Sequence, residues 1–287
     1  MPTCFFVSDL HGQPDRYRAL FRLIEEELPS AVFLGGDLLP SGLSALGSLD
    51  FDHQDFVNGF LVRHLKRLRE ALGEDYPRVF VILGNDDDRS EEATVIAAAT
   101  TGVWEYVHDR RVSFAEHDIY GYACVPPTPF LYKDWECYDV SRYVDPGCVS
   151  PEDGYRSLPA SESRIRHATI QEDLAILVGT RSVENAVFLF HSPPYQTNLD
   201  RAALDGKMID HAPLDVHVGS IAIQRFIEER QPLITLHGHV HESARISGAW
   251  SERIGRTHAF SAAHDGPELA LVRFDLENPA AASRALM

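Results

Sequence analysis

Five apolar runs in this chain each break off at residues able to bind a cation, and no other feature constrains the fold as tightly. They end in "SDLHG" (Asp9, His11), "GGD" (Asp37), "GND" (Asn85), "HSPP" (His191) and "GHVH" (His239, His241). Runs such as "TCFFVS", "AVFLGGD", "RVFVILGN" and "AVFLFHSPP" have the length and apolar content of strands buried on both faces. In open α/β sheets, binding sites gather outside the carboxyl ends of strands, so side chains remote in sequence can converge there. The neighbouring Gly12, Gly35, Gly36, Gly84, Gly238, Pro193 and Pro194 suit tight turns in which the backbone leaves a strand sharply.

Between these runs the period changes from strand to helix. "QPDRYRALFRLIEEEL" carries apolar residues at helical spacing (Tyr17, Leu20, Phe21, Ile24, Leu28), with Pro14 suited to the first turn. A Gly/Ser-rich loop and a helix near residues 55–72 precede the next strand, so strand and helix alternate, which argues α/β. From about Val103 the strands shorten ("VWEYVH", "RVSFAEH", "IYGYAC") with little helix between them, which predicts antiparallel pairing and a mixed sheet. The aperiodic stretch rich in Pro, Gly and aromatic residues at about 125–160 reads as an insertion on the substrate side of a single domain spanning 1–287. Beyond it come a helix over 162–178, a helix capped by Ser220, closing strands in "THAFSA" and "ELALVRFDL", and a frayed tail, "ENPAAASRALM".

Composition narrows the function. A formal net charge of −17 over 287 residues repels nucleic-acid phosphates, so a sequence-tolerant DNA or RNA binder is disfavoured. Cys4, Cys124, Cys137 and Cys148 show no CxxC spacing and fit reduced, structural thiols. The start, "MPTCFFVSDLHG", has no basic region followed by an apolar run, and no segment reaches membrane-spanning length. A cytoplasmic protein with no membrane partner is expected.

A mixed donor set of carboxylate, imidazole and amide without thiolate suits Mn2+, Fe2+/Fe3+, Zn2+, Co2+ or Ni2+ better than structural zinc or a calcium cage. The ordered motifs DxH, GD, GN, H and GHxH resemble those of the calcineurin-like metallophosphoesterase superfamily across most of the chain. The resemblance implies an α/β fold, a four-layer αββα sandwich of two mixed sheets flanked by helices, with two divalent transition-metal ions in one cleft. It implies Asp9, His11 and His241 on the first metal, Asn85, His191 and His239 on the second, and Asp37 bridging both. Two cations about 3.5–4 Å apart need such a shared anion, and water bridging them would attack phosphorus in line. The implied activity is hydrolysis of a phosphodiester or activated phosphomonoester on a small phosphorylated substrate, with Asp37, Asn85, Asp86 and His191 as catalytic positions.

Taken singly, these residues have plainer readings. Asp9 and Asp37 could be turn or helix caps, and only the pairing of His239 with His241 inside the ordered set favours a ligand role. His237 reads as packed, while His53, Tyr195, His211 and His217 lie in loops that could line the cleft. Arg89 or Lys207 could meet a substrate phosphate. Tyr132, Trp135, Tyr138 and Tyr143 are better placed to pack the insertion on the core than to stack a base. The family pattern breaks at Asp86, where many relatives carry a histidine assigned to protonating the leaving group. An aspartate at neutral pH has no proton to give, which favours leaving oxygens of low pKa. Asp87 reads as a support for a ligand and Asp88 as a helix cap. "FSAAHDG" also departs from the Asn-Pro-Gly-Ser type of turn. Two other functions stay open: a catalytically inactive scaffold of the same fold, and a nuclease, which the acidic balance disfavours.

Overall fold

The computed structural model describes residues 3–40 and 55–287. In chain order its elements are β1 (Thr3–Val7), α1 (Pro14–Glu27), β2 (Ala31–Gly35), α2 (Arg63–Leu72), β3 (Arg78–Ile82), α3 (Glu92–Ala99), β4 (Glu105–Tyr106), β5 (Arg110–Phe114) and β6 (His117–Tyr122). After the insertion come α4 (Glu162–His167), α5 (Ile170–Val178), β7 (Ala186–Phe190), β8 (Met208–Ile209), β9 (Ala212–Pro213), α6 (Ile221–Arg230) and β10 (Ile234–His237). The chain closes with α7 (Ser243–Ser247), β11 (Ser251–Ile254), β12 (Thr257–Ser261), β13 (Ala270–Asp275) and β14 (Ser283–Leu286).

Two six-stranded mixed sheets result, in the orders β14-β13-β1-β2-β3-β4 and β11-β12-β10-β7-β6-β5. Each has a parallel centre, β1 through β4 in the first and β6, β7, β10 and β12 in the second. β2, β7 and β10 are buried along their whole length, as strands covered on both faces must be. The sheets face each other, with β2 against β7 and β3 against β6, and Phe260 of one sheet lies 6.0 Å from Phe274 of the other. Tyr17, Leu20 and Ile24 of α1 pack over Val32, Leu34 and Val81 of the first sheet, and Phe226 of α6 covers Phe188 and Phe190 of the second. This is the four-layer αββα sandwich. Each Phe, Leu or Val so buried contributes about 1.5–3 kcal/mol before the cost of ordering the chain.

Several local expectations change. The closing segment is not frayed: β14 pairs antiparallel with β13, with Arg273 opposite Ser283 and Ala270 opposite Leu286. Backbone pairing along an existing edge needs little from the side chains, so the weak strand signal of "SRAL" misled. The helix expected over 162–178 is two, because Thr169 is extended and its side chain accepts from the Glu172 N–H to start α5. The helix near residues 55–72 opens with π-helical winding over Val57–Val62 before α2. Of the three short strands that follow Val103, only β5 and β6 pair antiparallel with each other, since β4 runs parallel to β3 and β6 also runs parallel to β7. Leu28 leaves the apolar stripe of α1, sitting left-handed and half exposed at its C-cap. No helix among the described residues is long and apolar enough to cross a membrane.

The segment at 125–160 is fastened to the core rather than draped over it. Asp139 reaches the N-terminus of α6, accepting from the Ser220 hydroxyl at 2.6 Å and from the N–H groups of Ile221 at 2.7 Å and Ala222 at 3.1 Å. Ser220 in turn caps the helix by accepting from the Ile223 N–H. Trp135 is fully buried and its indole donates to the Asp87 carbonyl at 2.8 Å.

Candidate metal centre

Asp9, Asp37 and Asn85 follow β1, β2 and β3, while His191 follows β7 and His239 and His241 follow β10. Five of the eight parallel strands therefore deliver donors to one edge of the sandwich. The backbone bends to do so: Asp9, His11, Asp37 and His239 all have positive φ, between 46° and 72°. Such conformations cost side-chain-bearing residues energy and concentrate at sites where geometry is imposed. Two glycines make room. A Cβ on Gly36, itself at φ 93°, would lie 2.6 Å from His191 Nδ1, and one on Gly84 would collide with the Asp37 carboxylate.

The donors fall into two overlapping groups. Asp9, His11, Asp37 and His241 each offer one atom within 4.8 Å of the others. His241 Nε2 is 3.2 Å from Asp9 Oδ1 and 3.2 Å from His11 Nε2, and His11 Nε2 is 4.0 Å from Asp37 Oδ2. On the other side, His191 Nε2 lies 3.3 Å from the same Asp37 Oδ2 and 3.0 Å from Asn85 Oδ1. The His239 ring sits against His191 with centroids 5.3 Å apart. Asp37 belongs to both groups.

Electrostatics tie the groups together. Burial opposes ionisation of Asp9, but the hydrogen bond and charge of His241 and the charges of His191 and His11 hold its pKa far below the usual range. Burial likewise opposes the Asp37 carboxylate, and His191 and His11 outweigh it, bringing Asp37 to about 2. The imidazoles respond in kind. Burial disfavours charge on His11 and His191, yet Asp86, Asp37 and Asp9 raise His11 to about 9, and Asp37, Asp9 and the Gly35 carbonyl raise His191 to about 9. Protons on these rings answer the carboxylates where a cation would otherwise do so.

The donor set fits divalent cations. His191 Nδ1 donates to the Gly35 carbonyl at 2.8 Å, so when the ring gives up its second proton to a cation it is Nε2, the atom facing Asp37 and Asn85, that offers the lone pair. Burial and the charge of His191 depress His239 to about 4, so its ring is neutral, and it makes no side-chain hydrogen bond among the described residues. A neutral imidazole with an unspent lone pair, two buried carboxylates and an amide oxygen are hard-to-borderline donors.

The three aspartates after Asn85 play separate parts. Asp86 is partly exposed, donates its N–H to Asp37 Oδ1 at 2.8 Å and places a carboxylate oxygen 3.2 Å from His11 Nδ1. Asp87 is fully buried and accepts from the N–H groups of Leu38 at 2.9 Å, Leu39 at 2.7 Å and Gly84 at 2.9 Å, locking the loop after Asp37 to the loop that carries Asn85. Asp88 is not a side-chain cap for the turn at residues 89–91, since its carboxylate takes the Tyr132 hydroxyl instead. Tyr132 competes for that carboxylate and wins.

The remaining candidates make no hydrogen bond or ion pair with the cluster's side chains among the described residues. His237 is packed, with Nδ1 donating to the Ser192 carbonyl at 2.9 Å, Nε2 2.8 Å from Thr235 Oγ1 and its ring stacked on Phe190. His217 Nδ1 is 2.7 Å from buried Asp200, Tyr195 donates to Asp215 at 2.6 Å, and His211 sits exposed in the β8–β9 turn. His53 lies outside the described residues. Arg89 is held by Glu92 and by the face of Trp135, and Lys207 is exposed. Tyr138 is buried with Trp135, whereas Tyr143 is two-thirds exposed. Two supporting residues left no sequence signal: Arg16, whose guanidinium donates to the Asp9 carbonyl at 2.5 Å and to the Pro267 carbonyl at 3.4 Å, and Ser8, which donates to the Asp9 carboxylate. Arg16 acts on Asp9 from outside any motif, and Ser8 from the first position of "SDLHG".

Comparison with known proteins agrees with this layout. The sequence pattern of the family described as calcineurin-like phosphoesterase matches residues 3–243. No curated protein matches the sequence. Among solved structures, a protein of Thermus thermophilus is similar over 99% of this chain and 98% of its own, at 14% identity and a TM-score of 0.54. A phosphopantetheinyl hydrolase of Mycobacterium tuberculosis is similar over 92% and 90%, at 12% identity and a TM-score of 0.52. A dimetal phosphatase of Danio rerio is similar over 95% and 91%, at 12% identity and a TM-score of 0.51. At these identities the likeness is one of fold.

Proposed function

From the premise that this chain belongs to the calcineurin-like phosphoesterase family, we propose that it hydrolyses phosphodiesters, or phosphomonoesters with a good leaving group, using two divalent transition-metal ions. Asp9, His11 and His241 would hold one ion, Asn85, His191 and His239 the other, and Asp37 both. One observation carries the reading: the same Asp37 oxygen lies 3.3 Å from His191 on one side and 4.0 Å from His11 on the other. Bound divalent cations supply Lewis-acid charge that makes water a stronger nucleophile and offsets charge on phosphoryl oxygens.

The chain's own groups fix the rest. The Gly35 carbonyl sets the His191 tautomer, and Asp87 holds the two loops that present Asp37 and Asn85 at a constant separation. Asp86 stands where many relatives have a proton-donating imidazole, and it offers an acceptor engaged with His11 Nδ1. With no donor there, a leaving oxygen must depart as an anion, which suits aryl, nucleotide or pyrophosphate groups over alkoxides. The substrate proposed is a small phosphorylated molecule rather than nucleic acid, on the strength of the −17 charge.

Hydrolysis of a bis-aryl phosphate by the Mn2+-loaded chain tests this. Activity should vanish on chelation and in His191→Ala; full activity in the chelated chain overturns it.

A further inference from the structure

A cavity of about 240 Å³ lies between the segment after β3, residues 124–161 and α4. That is many times the roughly 10–15 Å³ a single water needs. Its wall includes Arg89 from the segment after β3, Cys124 just beyond β6, Cys137 and Arg156 from the insertion, and Arg164 of α4. Three guanidiniums on one cavity are unexpected in a chain with a net charge of −17.

Their charges are met unequally. Arg164 pairs with Asp173 at 3.0 Å. Arg89 pairs with Glu92 at 3.3 Å and donates from Nη1 to the Asp134 carbonyl at 3.3 Å, leaving Nη2 without a partner among the described residues. Arg156 is partly buried and makes no ion pair or hydrogen bond with any described residue, so its whole fork of donors is unspent.

The carboxylates in the same wall are already spoken for. Asp134 accepts from the Arg89 N–H at 2.6 Å, the Tyr132 hydroxyl at 2.6 Å and the Ser157 N–H at 2.9 Å. Glu136 is matched by Lys133, which is fully buried, and also accepts from the Thr128 N–H at 2.8 Å. Asp134 and Glu136 act on Arg156 through their charge, but neither makes a hydrogen bond or ion pair with it, so what Arg156 lacks is an oxygen acceptor in contact with its donors. A planar, five-donor fork beside two more guanidiniums matches the oxygens of a tetrahedral anion.

We propose that this cavity binds a phosphate-type oxyanion, with Arg156 as its principal cation and Arg89 and Arg164 beside it. Arg89 follows Asp86 by three residues, so their backbones lie at most about 11 Å apart. That is near enough for the anion to be a distal phosphate of the molecule hydrolysed at the metal centre, and equally for it to be free phosphate held next to that centre. The site itself does not depend on the metal-centre reading.

The test is calorimetric titration of the full chain with inorganic phosphate, cation-loaded and again after chelation. Chelation removes any binding at the metal centre, and a component should persist. Arg156→Ala should weaken that component about 10- to 100-fold, as loss of a charge-assisted donor pair does. Arg156→Gln, which keeps length and polarity, should weaken it too. The proposal is overturned if the chelated wild type binds no phosphate, or if both variants bind it as tightly as wild type. Steady-state kinetics then separate the sources. A rise in KM in Arg156→Ala only for phosphodiesters carrying a second phosphate assigns the anion to the substrate; unchanged KM with lost phosphate binding assigns it to free phosphate. Either result keeps the site.

Discussion

Removing the cations should make the fold sensitive to pH in a window where the loaded protein is not. His191 is fully buried, and its pKa is raised from 6.5 to about 9, against the cost of burial, chiefly by Asp37 and then Asp9. A histidine whose folded pKa lies above its unfolded value contributes stability that is complete below the unfolded pKa and lost as pH rises through the folded one. The window is therefore pH 6.5 to about 9. At 1.36 kcal/mol per pH unit, His191 alone accounts for a loss of about 3 kcal/mol across it. For a chain of this size that is a fall in Tm of about 6–12 °C. His11, raised to about 9 by Asp86, Asp37 and Asp9 against its own burial, adds to the fall. Asp87, raised to about 7 by burial and Asp37, works in the same direction but is spent early in the window.

Divalent cations reverse the logic, because they bind the neutral imidazole and release its proton. Thermal unfolding at pH 6.5 and pH 9, with chelator and with saturating Mn2+, reads both arms. The chelated chain should lose stability and the loaded chain should not, and the fall in the chelated chain should be smaller in His191→Ala. A chelated Tm that stays level or rises from pH 6.5 to 9 refutes the charge balance assigned to Asp37 and His191.

Other expectations concern single side chains. Glu136→Gln strands the buried Lys133 charge and should cost about 3–5 kcal/mol in denaturant unfolding, while Lys133→Met with Glu136→Leu should recover most of it; a neutral single substitution would contradict the pairing. Asp139→Ala leaves the N–H groups of Ile221 and Ala222 without their acceptor and should cost about 1–3 kcal/mol, with faster hydrogen exchange at the Tyr138–Thr169 bridge. Asp86→His should raise kcat/KM for an alkyl phosphomonoester at least about tenfold, given the roughly 10²–10⁴ that general acids supply, and leave aryl diesters nearly unchanged; equal effects on both would remove the proton-donor argument.

How much of this the sequence disclosed depends on how local each cause is. Asp9, Asp37, Asn85, His191, His239 and His241 stood out because each follows an apolar run, and the parallel pairing of those runs carries their ends to one edge. The role of Asp87 was only half legible. Its position suggested support, but its partners Leu38 and Leu39 lie 49 and 48 residues away, and a backbone N–H carries no sequence signature. Arg16 was invisible for the same reason, its acceptors being carbonyls at Asp9 and Pro267. The break between α4 and α5 hides inside a continuous helical period because Thr169 acts through its extended backbone and hydroxyl. Arg156 looked like any surface arginine, since what singles it out is the absence of a partner among the described residues.

The central claim, two cations sharing Asp37 in one hydrolytic site, is tested most directly by titrating the chelated chain with Mn2+ while following bis-aryl phosphate hydrolysis. The account predicts that activity climbs from none and levels off at two equivalents per chain. Full activity before any cation is added, or a plateau at a single equivalent, contradicts it.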